Sequence, residues 1–157
     1  MASRFVLSST TLACIALASL PAFAQADVKA ALVKHLKTSR DFTLKVAEQM
    51  PEADYGFKLT PPQMSFAEQI AHLAEEQSGF LAPFSAGKPN PGKPASMSKK
   101  DVIAYVRQSF DKSIDTVSKL TAAQLSKTYN SGEGTMTGLE LLMFMMRGVI
   151  HHEHQQL

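Results

Sequence analysis

Apolar residues recur at three- and four-residue spacing over four stretches of this chain, the period of helices that bury one face. The first stretch runs from Asp27 to Met50, with Val28, Leu32, Leu36, Thr43, Val46, Ala47 and Met50 on one side and Asp27 as its cap. Pro51 ends it, and Pro61-Pro62 keep the following connection, which carries Tyr55, Gly56 and Phe57, out of helix. A second helix starts at the capping box Ser65-Phe66-Ala67-Glu68 and buries Phe66, Ile70, Leu73, Ala74, Gln77 and Phe80 or Leu81. Pro83 to Pro94 is rich in Pro, Gly and Lys and reads as a surface excursion. A third helix starts at Ser98 with Asp101 three residues on, and its stripe is Ile103, Val106, Phe110, Ile114 and Val117; Thr121 and Gln124 cap one further short turn. Tyr129 to Thr135, with Gly132 and Gly134, reads as a loop, and no segment reads as a convincing strand. A last helix opens at Thr137, with Glu140 completing another capping box, and runs through Leu139, Leu142, Met143, Met146 and Val149 into His151-His152-Glu153-His154-Gln155-Gln156-Leu157.

Four amphipathic helices of this length most economically form an all-α four-helix bundle. The long connections after the first and second helices argue against assuming an up-down-up-down order. The final helix carries no glycine cap, so either its last turn frays or the bundle is shortened at the C-terminus.

The start of the chain reads as an address. Met1-Ala2-Ser3-Arg4 is basic, Phe5 to Leu20 is uncharged, and Pro21-Ala22-Phe23-Ala24 has the small-x-small pattern of a signal-peptidase site. The expected division is therefore a cleaved signal peptide over residues 1–24 and one bundle domain over 25–157, placed in the periplasm or secreted. After cleavage no stable membrane insertion is expected. The leader takes with it Cys14, the one cysteine among 157 residues, so the mature domain has no disulfide and must be held by its core. Charge is nearly balanced, 16 Lys and Arg against 14 Asp and Glu with no long run of either sign, which argues against nucleic acid as a partner.

Without CxxC pairs, any metal site must be built from histidine and carboxylate. There are five histidines: His35, His72, His151, His152 and His154. His151 and His154 share a face of the last helix, whereas His152 is turned about 100° from His151. A bundle can bring His72, in the second helix, opposite the last one. Two imidazoles from one helix and one from another can hold a divalent ion with open positions. The ordinary reading of such a cluster is a solvated helix end, and that of His35 is a surface or hydrogen-bonded residue. Met143, Met145 and Met146 beside the histidines have the spacing of core side chains, with soft-metal capture as the other reading.

Met50-Pro51-Glu52-Ala53-Asp54-Tyr55-Gly56-Phe57, then Ser65-Phe66-Ala67-Glu68-Gln69-Ile70-Ala71-His72-Leu73-Ala74, and a final helix with His-His and a nearby Gln, resemble the DinB-like (damage-inducible) family of four-helix metalloproteins. The resemblance spans Asp27 to Leu157. It implies a divalent metal, zinc or nickel foremost, held by one histidine of the second helix and two of the last, and in some members a thiol-dependent transferase or isomerase activity. His72 matches the second-helix ligand. The last-helix pattern, His-x-x-x-His followed shortly by Gly-Gln, ends on His152 and Gln155, while its earlier histidine falls on Gly148, which has no side-chain donor. Glu153-His154 stand where relatives have Arg-Gly. With His72 and His152 kept, the resemblance leaves three alternatives for the missing donor: His151 or His154 in its place, an oxygen from Glu153 or Glu76, or a degenerate site.

Three functions follow as expectations: a metal-dependent hydrolase or thiol transferase acting on a small molecule or thiol, a metal-binding or buffering protein without catalysis, or a metal-free helical binding module. Glu75 and Glu76, about one turn from His72, are candidates to orient a ligand, although a solvated face is their ordinary role. Pairing of two copies through an apolar helix face is the expected assembly.

Overall fold

The computed structural model describes the backbone of residues 10–85 and 92–154, and side chains from Asp27 onward with the exception of His154. It contains helices α1 (Thr10–Gln49), α2 (Phe66–Leu81), α3 (Lys99–Lys119), a short α4 (Ala122–Ser126), strands β1 (Thr128–Ser131) and β2 (Gly134–Thr137), and α5 (Gly138–His154). The four long helices form the expected all-α bundle. The expected leader falls partly on residues 1–9, outside the described residues, and partly on the first turns of α1. Asp27 does not cap α1: the helix continues back to Thr10, because Gln25 and Ala26 are good helix formers and no glycine interrupts them. Among the described residues, no helix is long and apolar enough to cross a membrane.

Contacts between helices fix their order. α1 packs against α3 and α5, and α2 packs against the same two, so α1 and α2 lie on a diagonal. α1 and α3 are antiparallel: Lys29 Nζ donates to the Leu120 carbonyl at one end, and Lys99 Nζ to the Glu48 and Met50 carbonyls at the other. α2 and α3 run the same way. Ser109 Oγ donates to the Ala74 carbonyl at 3.0 Å and Gln77 Nε2 to Ser113 Oγ at 2.9 Å, so both helices advance together. α5 runs against α2, with Phe144 meeting Phe80 and His152 meeting His72. The end of α2 and the start of α3 therefore lie at opposite ends of the bundle, which explains the length of the connection between them. One end of the bundle gathers the C-termini of α1 and α5 and the N-termini of α2 and α3.

The stripe read for α2 is the buried one, ending on Leu81. On α3 the buried face is turned slightly from expectation, to Val102, Tyr105, Val106, Ser109, Phe110, Ser113 and Val117, leaving Ile103 and Ile114 half-buried. The small serines let α2 and α3 approach closely while their hydroxyls donate to backbone carbonyls, Ser109 Oγ to that of Ala74 and Ser113 Oγ to that of Ser109. On α5 the core takes Leu141, Leu142, Met145, Met146 and Val149 and leaves Met143 in solvent. Met145 and Met146 are core filler.

The segment expected to be a loop is a hairpin. Tyr129 pairs with Met136 and Asn130 with Thr135 around the two-residue connection Gly132-Glu133, and Gly134 adopts φ 115°, open to glycine at little cost. Its small polar residues bury little, so no alternation marks it. Thr137 ends β2 and caps α5: Glu140 N–H donates to Thr137 Oγ1 and Thr137 N–H to the Glu140 carboxylate, which holds that carboxyl below its usual range. Gly138 is required where it stands, since a Cβ there would collide with the Gln124 carbonyl oxygen.

Tyr55 fastens the first connection to the bundle. Its hydroxyl donates to the Ala47 carbonyl at 2.6 Å, its ring meets Phe66 edge to face, and its carbonyl accepts from Ala67 N–H. Burial pushes its pKa up to about 12, with Glu52 and Glu48 adding to the rise. A phenol held neutral more firmly in the folded state gives stability that is complete below its ordinary value of 10.0 and is lost as pH climbs toward about 12. Tyr55→Phe is expected to cost about 1 kcal/mol at neutral pH and to flatten the fall in Tm over that alkaline interval. A variant whose Tm falls as steeply as the parent's there contradicts this assignment.

Candidate metal centre

α2 sets the first half of the site. Its start is fixed by Ser65, whose N–H donates to Glu68 Oε2 at 2.6 Å while Glu68 N–H donates to Ser65 Oγ at 3.2 Å. These bonds, with Lys58 3.2 Å away, hold the Glu68 carboxyl below its usual range. His72 lies two turns in, on the flank that meets α5, with a side chain 29% exposed. α5 brings His152 onto it: the ring centroids are 4.8 Å apart and the planes cross at 84°.

Around the pair lie further polar groups. Gln69, one turn before His72 on the same flank, places its Nε2 3.4 Å from His152 Nδ1. Glu76 Oε1 is 4.0 Å from His72 Nε2. His151 is exposed, and its ring lies edge to face with that of His152, centroids 5.3 Å apart. His154 belongs to α5, but its side chain lies outside the described residues. Glu153 is half-buried, and its Oε1 is shut from solvent without a hydrogen-bond partner; it follows the face of Val149, about 100° from His152. Among the described residues, no three His, Cys, Asp or Glu side chains converge as a metal cage. Of the four expected ligands the structure thus joins His72 and His152 directly and sets His151 beside them. His35 is exposed on α1, away from the pair.

Two concavities meet at His72. A groove of about 780 Å³ runs from His72 along Glu75, Glu76, Gly79 and Phe80 to the hairpin turn at Gly132 and Glu133, with Leu141 in its floor. A smaller hollow of about 300 Å³ on the other side includes Lys58, Met64, Met97 and Tyr105. Burial, and then Glu75, raise the Tyr105 pKa. Phe84, beyond the groove, stacks edge to face on Tyr129 at 4.9 Å, tying the hairpin to the end of α2. A Cβ added at Gly148 would meet nothing nearer than Phe80, at 4.0 Å.

The donor set suits a divalent ion in type: two imidazoles from antiparallel helices, a carboxylate beside one of them and an amide beside the other. Gln69 is the residue that sequence reasoning missed. Its spacing of three from His72 was the available signal. With the amide turned over, its oxygen accepts from Nδ1–H, which fixes the tautomer of His152.

A helical bundle with an interhelical histidine pair beside an open groove is the class defined by this fold and site. The DinB superfamily model matches residues 35–155, and the chain belongs to that superfamily. Among solved structures, a DinB-like protein from Bacillus subtilis at 2.30 Å resolution is similar with a TM-score of 0.68 and 23% identity, over 80% of this chain and 86% of that one. A DinB-like protein from Bacillus cereus is similar with a TM-score of 0.68 and 16% identity, over 80% and 85%. These likenesses show the fold. No protein of curated function matches the chain.

Removing the amide tests its hold on the ring. In the metal-free protein, Gln69→Leu is expected to release His152 to both neutral tautomers, read from its imidazole ¹⁵N shifts. A tautomer ratio unchanged by the substitution would show that Gln69 does not set the ring.

Proposed function

We propose that this chain is an exported DinB-superfamily protein whose His72 and His152 hold a divalent ion, zinc or nickel, at the mouth of the groove, and that the site serves a hydrolytic or thiol-dependent transfer. The observation that carries the reading is the approach of two imidazoles 80 positions apart, at the one place where α2 and α5 bring histidines together. His151, His154, Glu76 and Glu153 are the residues within the same two helices from which further donors would come. When bound, the ion supplies positive charge that lowers the pKa of a coordinated water or thiol toward neutrality. The chain's own contribution is positional. Gln69 orients His152, Glu76 stands beside His72 to accept a proton or a hydrogen bond, and Phe80 and Leu141 give the groove an apolar wall for the substrate. Export follows from the leader pattern of residues 1–24.

A second reading, metal binding without catalysis, is favoured by Gly148, which leaves α5 without a donor one turn before His152. The two readings share the metal and differ in turnover.

Elemental analysis of protein purified without a histidine tag is expected to find zinc or nickel near one equivalent. His72→Ala is expected to weaken its affinity by a factor of at least about 10. Metal content at background level, unchanged by that substitution, overturns both readings. If metal is present, turnover of esters or thiol-conjugation substrates that disappears in His72→Ala supports the enzyme; a metal-loaded protein inert to both supports the buffer. Gly148→His is expected to tighten zinc binding by about 10-fold or more, because the added ring enters open space on the face of His152. An affinity unaltered by this third imidazole would place the ion elsewhere.

A further inference from the structure

The groove that opens from His72 carries charge of one sign. Among its described lining residues Glu75, Glu76 and Glu133 are carboxylates, and none is lysine or arginine. Between its two ends lies an apolar strip, with the half-buried ring of Phe80 and the side chain of Leu141. Lys93 comes within 3.9 Å of Glu75 from the smaller hollow, but its side chain is 77% exposed and water screens the pair. Glu133 serves the hairpin turn through its backbone N–H, which donates to Ser131 Oγ at 3.2 Å, and its side chain is left to the lip of the groove.

Gly79 is an independent sign that this space is kept open. It lies within α2, which runs on into a further turn through Ser85, and its φ is not the left-handed one of a helix-ending glycine. A glycine in such a place lowers stability relative to alanine. Packing does not demand it, since a Cβ there would meet nothing within 4 Å. What a side chain would take is room in the groove, one turn on from Glu75 and Glu76 along the same flank.

We infer, resting on the groove as the substrate's seat in the proposed function, that it binds a small organic cation: an amine or quaternary ammonium with an apolar body. The body lies on Phe80 and Leu141, where it leaves water. A divalent ion on His72 and His152 would offset Glu75 and Glu76 and repel a second positive charge. The ammonium therefore belongs at the hairpin end, by Glu133, with the uncharged end of the molecule toward His72. An anion of the same size meets Glu133 as a like charge, and the groove discriminates against it.

Benzyltrimethylammonium is the probe. Its charge is permanent and it cannot coordinate a metal, so its binding reads the groove alone. Phenylacetate, its anionic counterpart, can ligate an ion, so the two are compared on the metal-free full chain. The ammonium is titrated into the zinc-loaded chain as well. Amide NMR shifts are expected at Gly79, Phe80, Gly132 and Leu141, with the ammonium bound at least about 10-fold more tightly than phenylacetate. Glu133→Lys and Gly79→Leu are each expected to weaken the ammonium by about 5-fold or more. Position 133 is exposed in a turn and Gly79→Leu adds a helix former, so circular dichroism is expected to be unchanged. Phenylacetate bound as tightly as the ammonium, an affinity indifferent to both substitutions, or no shifts in the groove overturns the proposal. A chain that binds no metal but keeps the ammonium preference sinks the metal reading and retains this one; a zinc-loaded chain indifferent to the ammonium does the reverse.

Discussion

The place where α2 begins governs the site. Ser65 and Glu68 close the first turn on each other's backbone amides, and between them Phe66 N–H donates to the Phe57 carbonyl and Ala67 N–H to that of Tyr55. Tyr55 is itself pinned to Ala47 near the end of α1. Helical phase propagates rigidly from a fixed start, so these bonds decide which flank of α2 carries Gln69, His72 and Glu76. Had the helix begun one residue later, that flank would turn by about 100° and His72 would leave α5. A capping box and one tyrosine thus reach the chemistry without touching it.

The second constraint is direction. Ser109, Ser113 and Gln77 form a polar ladder that seats α3 on α2 in parallel: Gln77 Nε2 donates to Ser113 Oγ and the two serine hydroxyls donate to the Ala74 and Ser109 carbonyls, while Gln77 Oε1 is buried without a hydrogen-bond partner. Parallel neighbours demand a long connection, which residues 82–98 supply. α5 descends beside α2 in the opposite sense, and only that sense brings the end of α5 to the start of α2. At the other end of the bundle, Gly138 lets α5 start hard against α4, and the hairpin folds back to form the far lip of the groove.

Much of this was legible in the sequence because it rests on local rules. The capping boxes at Ser65, Thr121 and Thr137 and the stripe of α2 are set by neighbours three and four residues away, and all stand where spacing placed them. The errors have tertiary causes. The face of α3 turned toward Tyr105 and Ser109 because α2 asks for small and hydrogen-bonding side chains there, which apolar periodicity does not register. Apolar spacing puts Met143 in the core, but the buried side of α5 is that of Leu141, Leu142, Met145, Met146 and Val149, and Met143 falls outside it. The hairpin escaped notice because its two strands pair with each other and bury almost nothing. At the site, His72 and His152 could be named from sequence, whereas Gln69 could not, since its role depends on a ring 83 positions away.

The proposed function requires the His72–His152 pair to bind a cation rather than to be only a contact between two packed rings. The direct measurement is anomalous diffraction at the zinc edge from crystals grown with zinc. One peak bonded to a nitrogen of each ring, at about 2.0–2.1 Å, is the result the account predicts. Zinc located away from both rings, or none bound while the rings keep their edge-to-face contact, would contradict it.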